Sequence, residues 1–370
     1  MRVLVASDKF KGSMTATEAC DAIAEGLRAG SQAGEHELEC VPIADGGDGL
    51  ARTLTDAKNG AWIEVDVRGP LGEPVTAGYG LIDNGKRAVI EMAEASGIAL
   101  LPATTLEPWQ ASTHGTGELI RDAIGRGADE IILGIGGSAT NDGGMGMAQA
   151  LGYRFFDSDG NEIFKIPAGI ETLGSILPPE SWDPPKVTVA CDVDNPLLGP
   201  NGCTRIYGPQ KGIDDGEFQK HEFRLSQLVK ASSERGQEFA GAQGSGAAGG
   251  LGFGCMRFLN AELVAGFDLV AEHLDLEKCV ATADLVITGE GKIDQQSLSG
   301  KGPAGVAHMA LRLGKRRAAF CGMLDTADVS ELFGPICEIR DPELSVEENM
   351  ARGIALLRKA AEESAPKLLS

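Results

Sequence analysis

Glycine-rich stretches of this sequence carry lysine, aspartate and glutamate side chains that could do chemistry. Six such stretches cover residues 8–13, 45–49, 134–146, 191–202, 244–252 and 289–301. Four of the six follow runs typical of β-strands. Glycine lets the backbone approach a ligand closely, and N–H groups at helix starts attract anions. Ligands of open α/β sheets bind beyond the carboxyl ends of the strands, so these loops predict a phosphate or carboxylate site.

Phosphoryl transfer is the chemistry that these residue types suit best. It needs cations on the phosphates, carboxylates for a metal ion, and a group that orients or deprotonates the attacking hydroxyl. The lysines in or beside the loops are Lys9, Lys11, Lys211, Lys292 and Lys301. The acidic residues at predicted strand ends are Asp8, Asp45, Asp192, Asp194, Glu290 and Asp294. For any single aspartate, a turn or helix-cap role is at least as good an interpretation.

Other signatures of catalytic sites occur only in part. Residues 134–139 fit the dinucleotide pattern G-x-G-x-x-A, with Asp157 further on, so an NAD-linked hydroxy-acid dehydrogenase is an alternative. The Thr-Asn-Asp-Gly-Gly that follows Ala139 delays any helix, which disfavours it. Residues 295–301 lack the first glycine and the final Ser or Thr of a Walker A loop. Ser138 lacks the second glycine of a hydrolase elbow.

The elements that must position these loops have an α/β rhythm. Strands predicted at 2–6 and 39–43 alternate with helices at 15–28 and 50–57, which indicates a parallel sheet with helices on its faces. Thr15 and Glu18 fit a capping box at the start of the first helix. The same rhythm returns from Asp284. We therefore expect a doubly wound α/β domain that is built from both ends of the chain.

The middle of the chain begins with a different pattern. Residues 62–68, 74–82 and 87–92 alternate between apolar and polar side chains or are rich in β-branched ones. Asn84-Gly85 between two of these stretches is a strong hairpin signal. These stretches predict an antiparallel module next to further α/β elements. The expected division is a discontinuous Rossmann-like domain of residues 1–64 and 280–370, with an inserted α/β domain of residues 65–279.

Composition limits the classes of partner. The 370 residues carry a formal net charge of −21, which disfavours nucleic acid and anionic membranes. The eight cysteines form no C-x-x-C pair, so we expect reduced thiols rather than a disulfide or zinc framework. The N-terminus lacks the apolar core of a signal peptide, and no apolar stretch reaches the ~20 residues of a membrane span. A cytoplasmic location is expected, and a homodimer is left open.

Ten motifs occur in an order that identifies a family resemblance. They are SDKFKGSMTATEA, PIADGGDG, RGPLGEPV, IEMAEASG, STHGTGELI, GIGGSATNDGGMGMAQALG, CDVDNPLLGPNG, IYGPQKG, GSGAAGGLG and GEGKIDQQSLSGKGPAGVA. Together they resemble the bacterial type 1 glycerate kinase family from about Val3 to about Met323. Asp48 stands where that family often has Glu, which keeps the charge.

The resemblance implies a particular fold and reaction. The fold would be the two-domain α/β fold of that family, with the active site in the cleft between the domains. The donor would be ATP, and the acceptor D-glycerate, which would become 2-phosphoglycerate. A kinase for a related hydroxy acid, or one that forms 3-phosphoglycerate, stays an alternative.

Roles follow from loop placement and charge type. We expect Asp192 to be the general base or the acceptor that orients the glycerate hydroxyl group. Lys11 or Lys211 would meet the glycerate carboxylate, and Asp45 would join the catalytic group. Mg²⁺ favours oxygen ligands, so Asp45 and Asp294 are its candidates. The expected substrate and nucleotide contacts are Asp8, Lys9, Gly46, Gly47, Gly136, Gly137, Ser138, Asn141, Asp142, Asn195, Lys211, Gly289, Glu290, Gly291, Lys292 and Lys301.

Overall fold

Two compact units make up the described chain. A computed structural model of the protein describes residues 1–31, 36–102, 104–295, 297, 302–325 and 329–370, without the side chain of Glu234. Met1–Asp45 and Phe267–Ser370 form one unit, called here the discontinuous unit. Gly46–Gly266 form the other, called here the inserted unit.

The elements of both units are numbered along the chain. The strands are β1 (Arg2–Ser7), β2 (Glu37–Cys40), β3 (Ala61–Arg68), β4 (Pro74–Ile82), β5 (Arg87–Glu91), β6 (Glu130–Gly134), β7 (Arg154–Asp157), β8 (Leu173–Leu177), β9 (Lys186–Ala190), β10 (Glu262–Val264), β11 (Leu285–Ile293), β12 (Arg316–Leu324) and β13 (Ile336–Glu338). The α-helices are α1 (Ala16–Gly30), α2 (Leu50–Ala57), α3 (Ala93–Ser96), α4 (His114–Gly125), α5 (Met145–Ala150), α6 (Cys203–Tyr207), α7 (Phe218–Ala231), α8 (Ser233–Gly241), α9 (Ala247–Leu259), α10 (Gly266–His273), α11 (Leu276–Thr282), α12 (Gly302–Arg312), α13 (Ser330–Phe333), α14 (Val346–Ala351) and α15 (Gly353–Leu368). Short 3-10 helices cover Asp83–Gly85, Ile98–Leu100, Ile170–Thr172 and Pro209–Lys211.

The discontinuous unit contains a five-stranded parallel sheet. Its strand order is β13-β12-β11-β1-β2, so strands from the two chain ends pair in the middle of the sheet. Thr15 and Glu18 form the capping box that the sequence predicts, and this fixes the start of α1. Leu27 of α1 and Leu357 of α15 are fully buried in one apolar cluster with Val5 of β1. The predicted parallel sheet built from both chain ends is confirmed.

The inserted unit contains a six-stranded mixed sheet in the order β10-β9-β6-β5-β4-β3. β3, β4 and β5 pair antiparallel, as predicted, and β5, β6, β9 and β10 pair parallel. Asn84 adopts φ 58° in the turn between β4 and β5, which fits the Asn-Gly hairpin signal. The β7–β8 hairpin was not predicted. None of the described helices is long and apolar enough to cross a bilayer.

The unit boundaries differ from those expected at 64/65 and 279/280. β3 pairs with β4 along its whole length, which places it in the sheet of the inserted unit. In the other direction, Leu276 and Val280 of α11 are buried in one cluster with Val286 of the discontinuous unit. The switch between units therefore falls at 45/46 and 266/267, because the partners of β3 and α11 decide their membership.

Candidate active site

A buried lysine lies under one glycine-rich loop of the inserted unit. Lys211 is only 3% exposed, and its Nζ donates hydrogen bonds to Ser138 Oγ at 2.6 Å and to the Thr140 carbonyl oxygen at 2.7 Å. The 3-10 helix that carries Lys211 is followed by Gly212, whose φ of 90° is a conformation that favours glycine. The structure thus brings the predicted contacts Lys211 and Ser138 together.

Lys211 is charged at neutral pH at a cost. Burial lowers its pKa to about 8, opposed by the negative potential of Cys203 and Asp142. Among the described residues no carboxylate oxygen lies within 4.0 Å of its ammonium nitrogen. An ammonium group has three donors, and its two hydrogen bonds use two of them. Such a group suits an anionic ligand, since a buried charge without a partner is expensive.

Asp142 is a buried residue of the glycine-rich loop 134–146, and its carboxylate accepts several hydrogen bonds. The Asp142 Oδ2 accepts hydrogen bonds from the Thr113 N–H at 2.8 Å, the Thr113 Oγ1 at 2.9 Å and the Gly146 N–H at 3.2 Å. Its Oδ1 accepts from the Gly144 N–H at 3.0 Å, just before α5. Burial raises the Asp142 pKa, and these donors oppose the rise. These hydrogen bonds indicate that Asp142 holds the loop backbone in place. The predicted contact of Asp142 with a ligand stays a prediction.

Asn141 leads to two residues that the sequence analysis missed. Its Nδ2 lies 3.3 Å from Thr204 Oγ1 and 3.3 Å from His221 Nδ1. Burial and then Arg224 lower the His221 pKa to about 4, so the imidazole is neutral at pH 7. The Trp109 ring packs on the His221 ring, with 4.0 Å between the two ring centres. Arg224 Cζ lies 4.6 Å from the centre of the Trp109 ring. The sequence of α7 is that of a charged helix, and no local signal marks its buried side.

The loop before α2 lies against the loop after β6. A Cβ atom added to Gly136 would lie 3.3 Å from Gly47 Cα, and one added to Gly134 would lie 3.3 Å from the Gly46 carbonyl oxygen. Gly136 and Gly137 are exposed, and Gly137 has φ 73°. The structure therefore brings four predicted glycines together, with exposed backbone available to an anion.

The polar side chains after β9 are engaged in local structure. The Asp192 Oδ1 accepts a hydrogen bond from the Gly266 N–H at 2.9 Å. Asn195 donates to the Asn201 carbonyl oxygen at 2.9 Å and accepts from the Tyr207 hydroxyl at 2.6 Å. Asp192 is half-buried, whereas Asp194 is exposed. Ligand contacts of Asp192 and Asn195 stay predictions.

The glycine-rich stretch 244–252 is packed rather than open. Ala248, Gly249 and Gly250 adopt left-handed backbone angles inside α9, with φ 54°, 66° and 89°. Gly249 accepts a hydrogen bond from the Gly143 N–H at 3.1 Å through its carbonyl oxygen. A Cβ atom on Gly249 would overlap the carbonyl oxygen of Thr140. This stretch supports the loop above Lys211 by close backbone packing.

A group of carboxylates and lysines lies at the carboxyl ends of β1 and β11 in the discontinuous unit. Lys9 Nζ is 3.8 Å from both Asp8 Oδ1 and Asp45 Oδ1, so one ammonium bridges two carboxylates. The Asp8 N–H donates to the Gly289 carbonyl oxygen at 2.9 Å, which ties β1 to β11. Lys11 is exposed in the turn that follows.

The expected loop over 289–301 is wrong in its first part. β11 continues to Ile293 and pairs with β12 beyond Gly289, so Gly289, Glu290, Gly291 and Lys292 are strand residues. Lys292 Nζ lies 3.2 Å from Asp294 Oδ2 and 2.7 Å from Asp325 Oδ2. The GEGKI sequence resembled a loop because of its glycines, but pairing with β12 extends the strand. Lys301 lies outside the described residues.

Glu290 is a carboxyl of this group whose pKa is strongly raised. Its Oε1 is buried and has no hydrogen-bond partner among the described residues. Burial raises its pKa to about 7, a hydrogen bond with Ser297 opposes this, and the charges of Asp8, Asp294 and Asp45 add to it. A carboxyl that titrates near neutral pH among other acids is typical of functional sites. We call Asp8, Lys9, Asp45, Glu290, Lys292 and Asp294 the carboxylate–lysine cluster.

The donor types of this cluster fit Mg²⁺. The ion takes oxygen ligands and usually keeps waters and substrate phosphate oxygens, so one or two carboxylates suffice. In the described ranges no three His, Cys, Asp or Glu side chains are arranged as a ready metal site. The buried Oε1 of Glu290 without a partner is the feature that would favour a cation here.

The dinucleotide alternative loses its structural context. The pattern needs a helix that starts within the glycine loop, but β6 ends at Gly134 and α5 begins only at Met145. Asp157 lies in β7 and accepts from the Asn161 N–H at 2.8 Å. The pattern over 134–139 therefore belongs to a loop whose Ser138 and Thr140 accept hydrogen bonds from Lys211.

Comparisons with known proteins agree on one family. The model of the glycerate kinase family matches residues 3–368. A glycerate kinase of Bacillus subtilis (strain 168) is 46% identical over 84% of this chain and 82% of its own. The glycerate 2-kinase of Escherichia coli (strain K12) is 43% identical over 89% and 87%. A crystal structure of a glycerate kinase 2 candidate from Salmonella typhimurium LT2 has a TM-score of 0.89, with 38% identity, over 100% of this chain and 98% of that one.

Proposed function

The chain belongs to the glycerate kinase family, and we propose that it transfers the γ-phosphoryl group of ATP to the 2-hydroxyl group of D-glycerate. The observation that carries the proposal is Lys211, a buried ammonium without a carboxylate partner among the described residues, under a loop of exposed glycine backbone. A glycerate carboxylate would provide the missing negative charge. The family's relatives named glycerate kinase and glycerate 2-kinase support the choice of acceptor.

The inserted unit would bind the acceptor. Lys211 and the backbone of Gly136 and Gly137 would hold the glycerate carboxylate, and Ser138 would keep the ammonium in place. Asp192 would orient the 2-hydroxyl group and take its proton as the new P–O bond forms. Lys11 stays the alternative cation for the carboxylate.

The discontinuous unit would bind the donor. Lys9 and Lys292 lie in the carboxylate–lysine cluster and would meet the phosphates of ATP. Asp45 and Asp294 would hold Mg²⁺, which when bound neutralises charge on the phosphate oxygens. Contacts of Lys301 with the donor, and an active site between the two domains, stay predictions.

The reaction is tested by the product. The purified chain is assayed for ADP release with ATP, Mg²⁺ and a panel that contains D-glycerate, L-glycerate, lactate and tartronate, and phosphorus NMR identifies the phosphorylated position. We expect turnover with D-glycerate and a 2-phosphoglycerate resonance. A 3-phosphoglycerate resonance would reassign the hydroxyl group, and no ADP release with any of these acids would refute the kinase proposal.

The role of Asp192 is tested by Asp192→Asn. The amide oxygen can still accept from the Gly266 N–H, so the fold should be kept while the base is lost. We expect kcat to fall by about 10²–10⁴-fold, as for other lost bases. Asp194→Asn, an exposed neighbour, is the control and should keep wild-type kcat. Wild-type kcat in Asp192→Asn at saturating substrates would remove Asp192 from the chemistry.

The cellular setting is proposed from chemistry. We propose a cytoplasmic enzyme, since the donor ATP is made and used inside cells and all eight cysteines are free thiols. A homodimer stays a prediction, which sedimentation of the purified chain would decide.

A further inference from the structure

Glu91 makes contacts that its sequence position does not suggest. It is the last residue of β5 and is 7% exposed. Its Oε2 accepts a hydrogen bond from the Gly49 N–H at 3.0 Å, and its Oε1 accepts from the Ala51 N–H at 2.7 Å. The two donors lie at the start of α2, where Gly49 provides no side-chain cap. A carboxylate from strand β5 thus accepts hydrogen bonds from backbone N–H groups at the start of α2, which have no partner within the helix.

We propose that Glu91 is a positioning residue that holds the loop Gly46–Gly49 against the loop that begins at Gly134. The inference rests on the proposed function, because that function assigns ligand contacts to the loop that begins at Gly134. Glu91 itself would not touch the substrate. Its effect on the reaction would pass through the backbone of the loop that it holds.

The contacts around Glu91 reach both loops. The Gly46 carbonyl oxygen would lie 3.3 Å from a Cβ atom on Gly134, and Glu91 Cγ would lie 3.5 Å from the same atom. Glu91 also pairs in register with Gly134 across β5 and β6. A change in the Glu91 carboxylate would therefore displace the backbone of Gly46, which packs on Gly134. It would also displace Gly47, which packs on Gly136.

A local cap would have held α2 more simply. Serine, threonine or aspartate at the residue before a helix satisfies its N–H groups without a buried charge. Here the carboxylate comes from Glu91 of β5, and burial raises its pKa to about 7. The hydrogen bonds from the Ala51 and Gly49 N–H groups oppose this rise, and the charges of Asp48 and Glu94 add to it. The negative charge faces the positive end of the α2 dipole. What the distant carboxylate adds over a local cap is a fixed distance between the loop and the sheet.

Glu91→Gln is the informative variant. Glutamine keeps one oxygen acceptor but turns an NH₂ group towards the other N–H, so one backbone donor loses its partner. Glu94→Gln is the matched control. Glu94 is a half-buried neighbour on α3 whose Oε2 accepts from the Gly78 N–H at 3.3 Å, away from the loop. Hydrogen exchange of the Gly49 and Ala51 amides, kcat and KM are measured in all three proteins.

We expect faster exchange at Gly49 or Ala51 in Glu91→Gln, and a kcat/KM that is lower by about tenfold or more, from the energy of an unpaired buried donor. The Glu94→Gln variant should match the wild type in exchange and in kcat/KM at pH 8, where Glu91 is ionised in both proteins. Loss of the Glu94 charge should only lower the pH at which Glu91 takes up its proton. The wild type should lose kcat/KM between pH 7.5 and pH 6 as Glu91 takes up a proton, and Glu91→Gln should lack the part of that loss that comes from Glu91. Glu290, whose pKa is also about 7, titrates in both proteins and contributes equally to both profiles.

The inference is overturned by unchanged exchange at both amides or by wild-type kcat/KM in Glu91→Gln. It is also overturned if kcat/KM falls only in proportion to a lower Tm and the pH profile keeps its wild-type shape, because Glu91 would then be a structural cap alone. If the wild type itself releases no ADP with any hydroxy acid, the proposed function fails. The exchange measurement still decides whether Glu91 holds the loop.

Discussion

The Nζ of Lys211 lies 2.6 Å from the hydroxyl oxygen of Ser138, and both side chains are buried. Residues 73 positions apart are thereby joined under one glycine-rich loop. The contact ties a cation from one short 3-10 turn to the loop after β6, and it holds the cation where the loop backbone is exposed.

Replacing Lys211 should weaken acceptor binding. Lys211→Met keeps a long apolar stem and removes the charge that would meet the glycerate carboxylate. We expect KM for D-glycerate to rise by about 10–100-fold, the range for a lost charged hydrogen bond, with a smaller effect on KM for ATP. Lys220→Met, on the exposed side of α7, is the control and should change neither constant. An unchanged KM for D-glycerate would move the carboxylate site away from Lys211.

Lys211 should also give stability an alkaline dependence. Its pKa is about 8 in the folded chain against 10.5 for the ordinary side chain, so the unfolded chain binds more protons between these values. The wild type should therefore gain free energy of unfolding relative to Lys211→Met as pH rises from about 8 to about 10.5, by about 3 kcal/mol in total. Urea unfolding at pH 7.5 and pH 10 measures this. A constant difference between the two proteins would show that Lys211 is not buried as a charge.

Glu290 should give the opposite dependence. Its folded pKa of about 7 lies above the ordinary 4.5, so the folded chain holds a proton that the unfolded chain has released. Relative to Glu290→Gln, the wild type should lose stability as pH rises from about 4.5 to about 7. Mg²⁺ bound to the carboxylate–lysine cluster would favour the ionised acid and offset that loss.

Urea midpoints of both proteins at pH 5 and pH 8, with Mg²⁺ or with EDTA, measure the Glu290 effect. We expect Mg²⁺ to restore stability at pH 8 in the wild type and to do so less in Glu290→Gln. The same midpoints with and without Mg²⁺ in both proteins would place the metal site elsewhere.

Gly249 should not tolerate a side chain. A Cβ atom would overlap the Thr140 carbonyl oxygen, and the φ of 66° is itself unfavourable for alanine. We expect Gly249→Ala to lower the free energy of unfolding by about 2–4 kcal/mol and to lower activity, since Thr140 is a contact of Lys211. Gly125→Ala at the end of α4, where no atom lies within 4 Å of the added Cβ, is the control. Equal stability of the two variants would contradict the packing described for α9.

Several elements follow from local sequence because their causes are local. The capping box of Thr15 and Glu18 and the Asn84-Gly85 turn were both predicted correctly. The capping box depends on side chains that contact backbone three residues away, and the turn depends on residues that tolerate a positive φ. The family resemblance was also readable, because ten motifs in order are specific even where each alone is weak.

Other features depend on partners far along the chain. Glu290 and Lys292 have the sequence of loop residues, but pairing with β12 makes them strand residues. The stretch 244–252 has the sequence of a binding loop, but its glycines are packed, with Gly249 against Thr140. The burial of Arg224 on a charged helix gave no signal in its own neighbourhood.

The sequence by itself determined the residue types available for chemistry, the α/β rhythm and the family, since these reside in composition, spacing and motif order. Only the tertiary structure decided which charges are buried, that Lys211 has no carboxylate beside it among the described residues, and that Glu91 reaches the start of α2. Burial and long-range hydrogen bonds arise from chain segments that are distant in sequence, and pKa values depend on both.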